Sequence, residues 1–515
     1  MSESWDTIVV GAGVGGLSAA AHLVRAGQRV LVLEKNPHAG GTAFVFTRKG
    51  FTFPMGPLGF SSPGVVSNAL SYLKQDKDLD FCRVHYRMRA FDLTVSLSAP
   101  FDHIQEELSG IFPSEAEAIK TFFHDMANII SGIRSPNQRE NGSMPEQTRG
   151  LSAREYIESL ITDWRLRRIL GSLGTREPYS SVPLLAAMWD LMGNEGIWYP
   201  KDGMGAFCNR LVRAVTGSDQ HCGALAEIRL GVPVKQIRVK NGRTEGVTLG
   251  DGTTIEATNI ISNADYKATF LNLVDPKSMP ERWVRAVARA KQAGSVFQVC
   301  LGVETSKLDA SAFSQGSRLV YRRGSHLRDV QEPDWSASEV DPYVLADQEL
   351  EISLLTREDP MLAPPNGSVV VIRTEADHTH FMKYRPTMGR RISSYKEYKT
   401  RLARGLIHEI SRLLPGLEQA IQVMDVATPL TFEDQGGRSQ GAVAGWSWDY
   451  EDNRDYRPME LIQTQIRGLY MVGYQAYSAL FMGGIPTAIE SGRRVAELLL
   501  EGAGPLEEIR IPVSD

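Results

Sequence analysis

The stretch "DTIVVGAGVGGLSAAAHLVRAGQRVLVLEKN", residues 6–36, constrains this chain more than any other. It reads as a short buried strand at Ile8–Val10, a tight turn, and a helix with Ala19, Ala20 and Leu23 on one face. Gly27 stops the helix, and a second strand at Val30–Leu33 is closed by Glu34. Gly11, Gly13 and Gly16 stand at GxGxxG spacing. In such a unit the first glycine makes the turn, the second lets backbone approach a diphosphate, and the third lets the helix pack close to the sheet. Free N–H groups and partial positive charge at the helix N-terminus suit the phosphates. Glu34 is placed to accept from a ribose 2′-hydroxyl, which disfavours a 2′-phosphate. A glycine-tolerant turn in some other α/β unit explains neither the three glycines nor the acid, so the stretch predicts dinucleotide binding.

With 515 residues the chain is too long for one ordinary domain, and two or three lobes are expected. A net charge of −5 argues against a nucleic-acid partner. Cys82, Cys208, Cys222 and Cys300 are scattered without a CxxC pair and read as reduced thiols. No apolar run approaches the ~18–20 residues that span a bilayer. The first strand starts so near Met1 that no signal or transit peptide is expected. A cytoplasmic protein is the expectation, with peripheral binding to a membrane surface left open.

The sequence continues "KNPHAGGTAFVFTRKGFTFPMGPLGF", with a second glycine pair at Gly40 and Gly41. GxGxxG, an acid and then a second GG resembles the FAD-binding signature of the amine-oxidase-like flavoprotein superfamily. Within it the match is to the phytoene desaturase, carotenoid isomerase and retinol saturase branch. Three further segments carry the resemblance: "GVPVKQIRVKNGRTEGVTLGDGTTIEATNIISNADYKATFLNLV", "WYPKDGMGAFCNRLVRAV", and "RGLYMVG" with "GGIPTAIESGRRVAELLL". It covers nearly the whole chain, tightly in these segments and loosely between them. It implies FAD as cofactor, held by Gly11, Ala12, Gly13, Gly15, Gly16, Glu34, Lys35, Gly40, Gly41, Thr42, Gly56, Pro57, Leu58 and Gly59. Val234 is implied to lie against the adenine, with Asn263, Gly473, Tyr474, Gly484, Ile485, Pro486 and Thr487 completing the set. The helix after Gly484 is implied to point its N-terminus at the flavin's pyrimidine carbonyl, where N–H groups stabilise the charge of a reduced ring; Pro486 costs little in a first turn. Three positions depart from the family pattern. Thr42 stands where arginine or serine is frequent, Pro54 where aspartate is frequent, and Tyr474 where an aspartate commonly holds the ribityl chain.

The expected fold is α/β: a discontinuous Rossmann-like FAD-binding domain with an inserted α+β substrate-binding lobe. Residues 1–80, 203–275 and 456–505 are assigned to the former, 81–202 and 276–455 to the latter, and 506–515 to a C-terminal tail. The first insertion reads as helix-rich, with a capping-box start at Ser114 and Glu117. In the second, Leu402, Leu406, Ile410 and Leu413 form a helical stripe read as core. Two strands are expected there, "SVFQVCLGV" and "GSVVVIRTEA".

His378 and His380 are the only tight histidine pair; if that segment is a strand they share a face, but no third ligand has suitable spacing, so no metal site is expected. There is no GxSxG, HExxH or P-loop, and flavin chemistry needs none. No catalytic acid or base is identifiable. Tyr474, Tyr477, Phe481 and Trp446 are the candidates for the flavin's neighbourhood, with Trp448 beside the last. The expected reaction is desaturation, saturation or isomerisation at carbon–carbon double bonds of a long apolar, carotenoid- or polyprenoid-like substrate, with hydride passing between it and flavin N5. A quinone or O2 is the expected electron acceptor. The alternatives are flavin amine oxidation, which calls for an aromatic pair of which only Phe481 is identified, and a prenyl-binding escort protein of the same fold.

Overall fold

Strands buried on both faces assemble into parallel sheets flanked by helices, and Val30–Glu34, buried at all five positions, belongs to such a sheet. The computed structural model describes residues 4–134, 151–172, 181–217, 225–323, 332–387, 390–447, 461–477 and 484–502. In its first seven-stranded sheet Ser4–Val10 lies between Val30–Glu34 and Thr254–Ser262, parallel to both. Ala226–Leu230 extends the sheet beyond Val30–Glu34, and Leu469–Met471 pairs in parallel with the end of Thr254–Ser262. Three stretches far apart in the chain therefore share one sheet. The antiparallel strands Val234–Lys240 and Arg243–Leu249 turn at Asn241 (φ 52°) and Gly242 (φ 70°), the left-handed pair that an Asn-Gly hairpin requires.

The first helix, Val14–Arg25, packs on the last, Ile485–Leu500, at close range. Ser18 Oγ donates to Ile489 O at 2.8 Å, and Gly492 lies against the backbone of the first helix.

The second seven-stranded sheet runs, edge to edge, Ile421–Ala427, Ser295–Glu304, Gly367–Ala376, Leu350–Leu354, Arg318–Arg322, Tyr86–Ala90, Leu93–Ser96. Alternate residues of its strands face opposite ways. Val299, Leu301, Val370 and Ile372 pack under helix Ser394–Ile410, where Leu402, Leu406 and Ile410 are buried, and Leu413 just beyond joins the same core. Cys300, Val369 and Val371 face the hairpin Val45–Arg48/Phe51–Pro54. A Cβ on Gly302 would come within 2.5 Å of the Phe51 ring, so glycine lets that ring lie on the sheet.

Polar side chains, buried at Gln298 and Arg318 and half-buried at Arg373, then fasten the chain after the hairpin. Gln298 Nε2 donates to Pro54 O at 3.2 Å, Arg373 donates to Gly56 O, and Arg318 Nη2 donates to Leu58 O at 3.2 Å. Pro54, one of the three departures from the family pattern, thus offers its carbonyl to the second sheet.

Some sequence expectations are corrected. His378 and His380 sit on a short helix, His378–Met382, capped by Asp377, and not on a strand. The aspartate cap offers the chain a helical start that outcompetes continuation of Gly367–Ala376. His378 faces Glu433 at 2.9 Å and His380 faces Tyr398 at 2.6 Å. Among the described residues no group of three or more His, Cys, Asp or Glu could hold a metal. The helix expected from Ser114 begins at Ala116, behind a short turn at Pro113–Glu115. There the Glu115 carboxylate instead accepts from Thr162 N and Asp163 N at 2.9 and 2.7 Å. The region after Phe81 also contributes two strands, Tyr86–Ala90 and Leu93–Ser96, to the second sheet.

Candidate functional site

The glycine loop lies at the carboxyl ends of the parallel strands, where open α/β sheets bind ligands. Gly11 has φ +101°, a turn that only glycine adopts without strain. A Cβ on Gly16 would fall 2.2 Å from Gly11 O, so the loop closes tightly onto its own helix. The other two glycines have partners that the sequence could not name. A Cβ on Gly13 would meet Asn263 Nδ2 at 2.4 Å, and one on Gly15 would meet Asn263 Oδ1 at 2.8 Å and Gly473 N at 2.9 Å. The Asn263 amide thus lies across the loop, held there because Asn263 N donates to Val10 O at 2.8 Å. The close approach at Gly13 is made by protein.

The second glycine pair joins the first. Gly40 N donates to Ala12 O at 2.8 Å, and a Cβ on Gly41 would be 3.0 Å from Gly13 Cα. Glu34 is buried, with Oε2 accepting from Ala12 N at 2.8 Å and Oε1 from Asn36 N at 2.9 Å. Each oxygen keeps a second lone pair for a ribose hydroxyl. Val232 N donates to Glu34 O at 2.8 Å, which brings the chain just before Val234 to this end of the cleft. Lys35 is exposed, and its ammonium approaches Asp434 O at 3.4 Å.

Gly56 sits against Thr42, whose carbonyl would be 2.6 Å from an added Cβ. Leu58 is buried in the hairpin's core, Pro57 is half-buried between them, and Gly59 packs on Ile197 and Trp198 rather than on the loop. Gly473 N donates to Ser491 Oγ at 2.8 Å, tying the last strand to the last helix. Gly484 has φ +103°, and Ile485, Pro486 and Thr487 are buried in the first turn. Trp446 donates from Nε1 to Gln475 O at 3.0 Å, and Tyr477 is buried with the Arg494 guanidinium 4.7 Å from its ring centre. Both are packed residues with partners of their own. Phe481 and Trp448 lie outside the described residues, as do Cys222 and residues 506–515.

One segment crosses the cleft without any signal in the sequence. Helix Pro429–Gly436 is fixed to the second lobe by Glu433, which faces His378 and Arg385. Burial opposes ionisation of Glu433, but these two partners outweigh it and hold its carboxyl at about 2. Past the helix, Arg438 donates from Nη2 to Thr42 Oγ1 at 2.6 Å and from Nη1 to Ala442 O and Val443 O at 3.1 and 2.8 Å. Its guanidinium carbon stands 4.4 Å from the centre of the Tyr474 ring. Ser439 bonds both oxygens of Asp265, a buried carboxylate that also accepts from Ala268 N and Gln292 Nε2 at 3.0 Å each. The aspartate of "SNAD" therefore anchors the crossing segment. Burial pushes the Tyr474 phenol up to about 12, with Asp265 adding to the rise and Arg438 opposing it, so the ring is neutral at pH 7.

The donor set fits a flavin dinucleotide: free N–H groups at a helix start, a buried carboxylate with spare lone pairs, and a guanidinium nearby. The model for "Flavin containing amine oxidoreductase" matches residues 14–371. A chloroplastic prolycopene isomerase of Daucus carota is 28% identical over 98% of this chain and 82% of its own length. A lycopene-forming phytoene desaturase of Pseudescherichia vulneris is 24% identical over 96% of this chain and 99% of its own. The crystal structure of an oxidoreductase from Methanosarcina mazei shares the fold, with a TM-score of 0.64 at 18% identity over 96% of this chain and 100% of that one. The chain belongs to the flavin-containing amine oxidoreductase family, and its cofactor is FAD.

Proposed function

We propose that the protein is an FAD-dependent oxidoreductase acting on carbon–carbon double bonds of a long apolar, carotenoid- or polyprenoid-like substrate. The observation that carries this reading is the similarity, over nearly the whole chain, to a prolycopene isomerase and a phytoene desaturase.

When bound, FAD supplies hydride transfer. The chain's own residues have supporting tasks in this proposal. Gly11, Gly13, Gly16 and the first turn of helix Val14–Arg25 receive the diphosphate, and Glu34 takes the adenosine ribose. Asn263 holds the loop in shape, and N–H groups in the first turn of Ile485–Leu500 would stabilise the charge of the reduced ring. Tyr474, neutral at pH 7, walls the cleft without presenting a charge to an apolar substrate.

The reading is tested by reconstituting the protein with FAD and offering linear polyenes and primary amines separately, without oxygen. Conversion of a polyene, with amines leaving the flavin yellow, is expected. Bleaching by an amine and inert polyenes would establish the amine-oxidase alternative instead.

A further inference from the structure

Arg438 has three partners, two backbone carbonyls aside from the Thr42 hydroxyl, and a face on Tyr474. Among the described residues it has no carboxylate partner. It is half-buried, and taking a charge partly out of water costs free energy unless an opposite charge compensates. Among the described residues three of the five guanidinium N–H groups are engaged, leaving two for a further acceptor.

The position of this cation is informative because both of its flanking contacts adjoin the glycine loop. Thr42 follows Gly41, which rests on Gly13; Tyr474 follows Gly473, which rests on Gly15. Arg438 thus reaches both chain segments that clasp the loop, at its two ends. The anion expected at that loop is a diphosphate. A planar guanidinium with two free donors matches phosphate oxygens in a fork.

We infer that Arg438 is a cofactor-binding residue that donates to the diphosphate of FAD, supplied by the segment crossing from the second lobe. Glu433 and Asp265 hold that segment from either side and act as positioning residues for it. The inference rests on FAD as cofactor and is independent of which substrate the protein turns over.

The test is titration of the apoprotein with FAD and, separately, with ADP, which carries the diphosphate and no flavin, in wild type, R438Q and R438K. R438Q is expected to weaken both ligands alike by about ten- to a hundredfold, the range of a charge-assisted bond. R438K is expected to fall between, since it keeps the charge and loses the fork. The wild-type dissociation constants should rise more steeply with salt than those of R438Q. Unchanged affinity for FAD in R438Q overturns the inference. So does weaker FAD binding with unchanged ADP binding, which would put Arg438 at the flavin end. If R438Q does not fold, R438K decides alone: an equal loss for both ligands supports the assignment and no loss for either overturns it.

Discussion

Gly492 lies flat against Ala19, and the Cβ it lacks would sit 2.6 Å from Ala19 N. The same Cβ would be 2.6 Å from Gly15 O, so this glycine sets how closely the last helix approaches the first, and with it the glycine loop. Gly492→Ala should destabilise the protein by about 1–3 kcal/mol, the cost of overpacking against rigid backbone. Gly110, inside helix Phe101–Ile111, has open space where its Cβ would stand. Gly110→Ala should therefore stabilise by about 0.4–1 kcal/mol. Urea denaturation of the two variants checks the pair, and equal effects would refute the close-crossing account.

At Gly13 the side-chain space is taken by Asn263 and, in the proposed function, by the cofactor. Gly13→Ala should lower both apoprotein stability and FAD affinity. Adding Asn263→Ala removes the amide that would lie 2.4 Å from the new Cβ. The double variant should regain stability without regaining affinity. Recovery of both would mean that the glycine serves Asn263 alone.

Glu34 pins its own loop through Ala12 N and Asn36 N. Glu34→Ala leaves the Ala12 N–H buried without an acceptor, at a cost of about 1–3 kcal/mol. The apoprotein should therefore melt lower, in addition to binding FAD more weakly. Unchanged apoprotein melting with weakened FAD binding would assign the carboxylate to the ribose only.

His22 gives a pH dependence of definite sign. It is buried, its Nδ1 contacts Ser18 O at 2.8 Å, and its Nε2 has no hydrogen-bond partner among the described residues. Burial lowers its pKa below the ordinary 6.5, with the Ser18 carbonyl working against the shift. A depressed folded-state pKa means that the unfolded chain takes up the proton first as pH falls. The stability from neutral His22 is thus complete above 6.5 and is lost as pH drops through the folded value. Stability measured from pH 7 downward should decline in this window, and His22→Gln should flatten the decline. An equally steep decline in the variant would put the sensitivity elsewhere.

The glycine loop, its strands and the closing acid were legible in the sequence because short-range geometry dictates them. Gly11 needs its left-handed turn, Val30–Glu34 needs two covered faces, and the Asn241–Gly242 turn needs positive φ twice; each leaves a mark within a few residues. The resemblance added the family and FAD. Whether His378 and His380 lie on a strand stayed open in the sequence, because a capping aspartate and a strand end look alike locally, and only packing on Tyr398 and Glu433 selects the helix.

By itself the sequence determined a βαβ unit with a tight glycine loop, since spacing and backbone sterics act between neighbours. Tertiary structure alone decided which residues share the cleft. Arg438 meets Thr42 across 396 positions, Asp265 meets Ser439 across 174, and Asn263 fills the space that Gly13 and Gly15 leave. Such contacts follow from how two sheets are fastened through Phe51, Arg318 and Arg373. Side chains brought together by packing, rather than by chain geometry, carry no periodicity or spacing that a linear reading can detect.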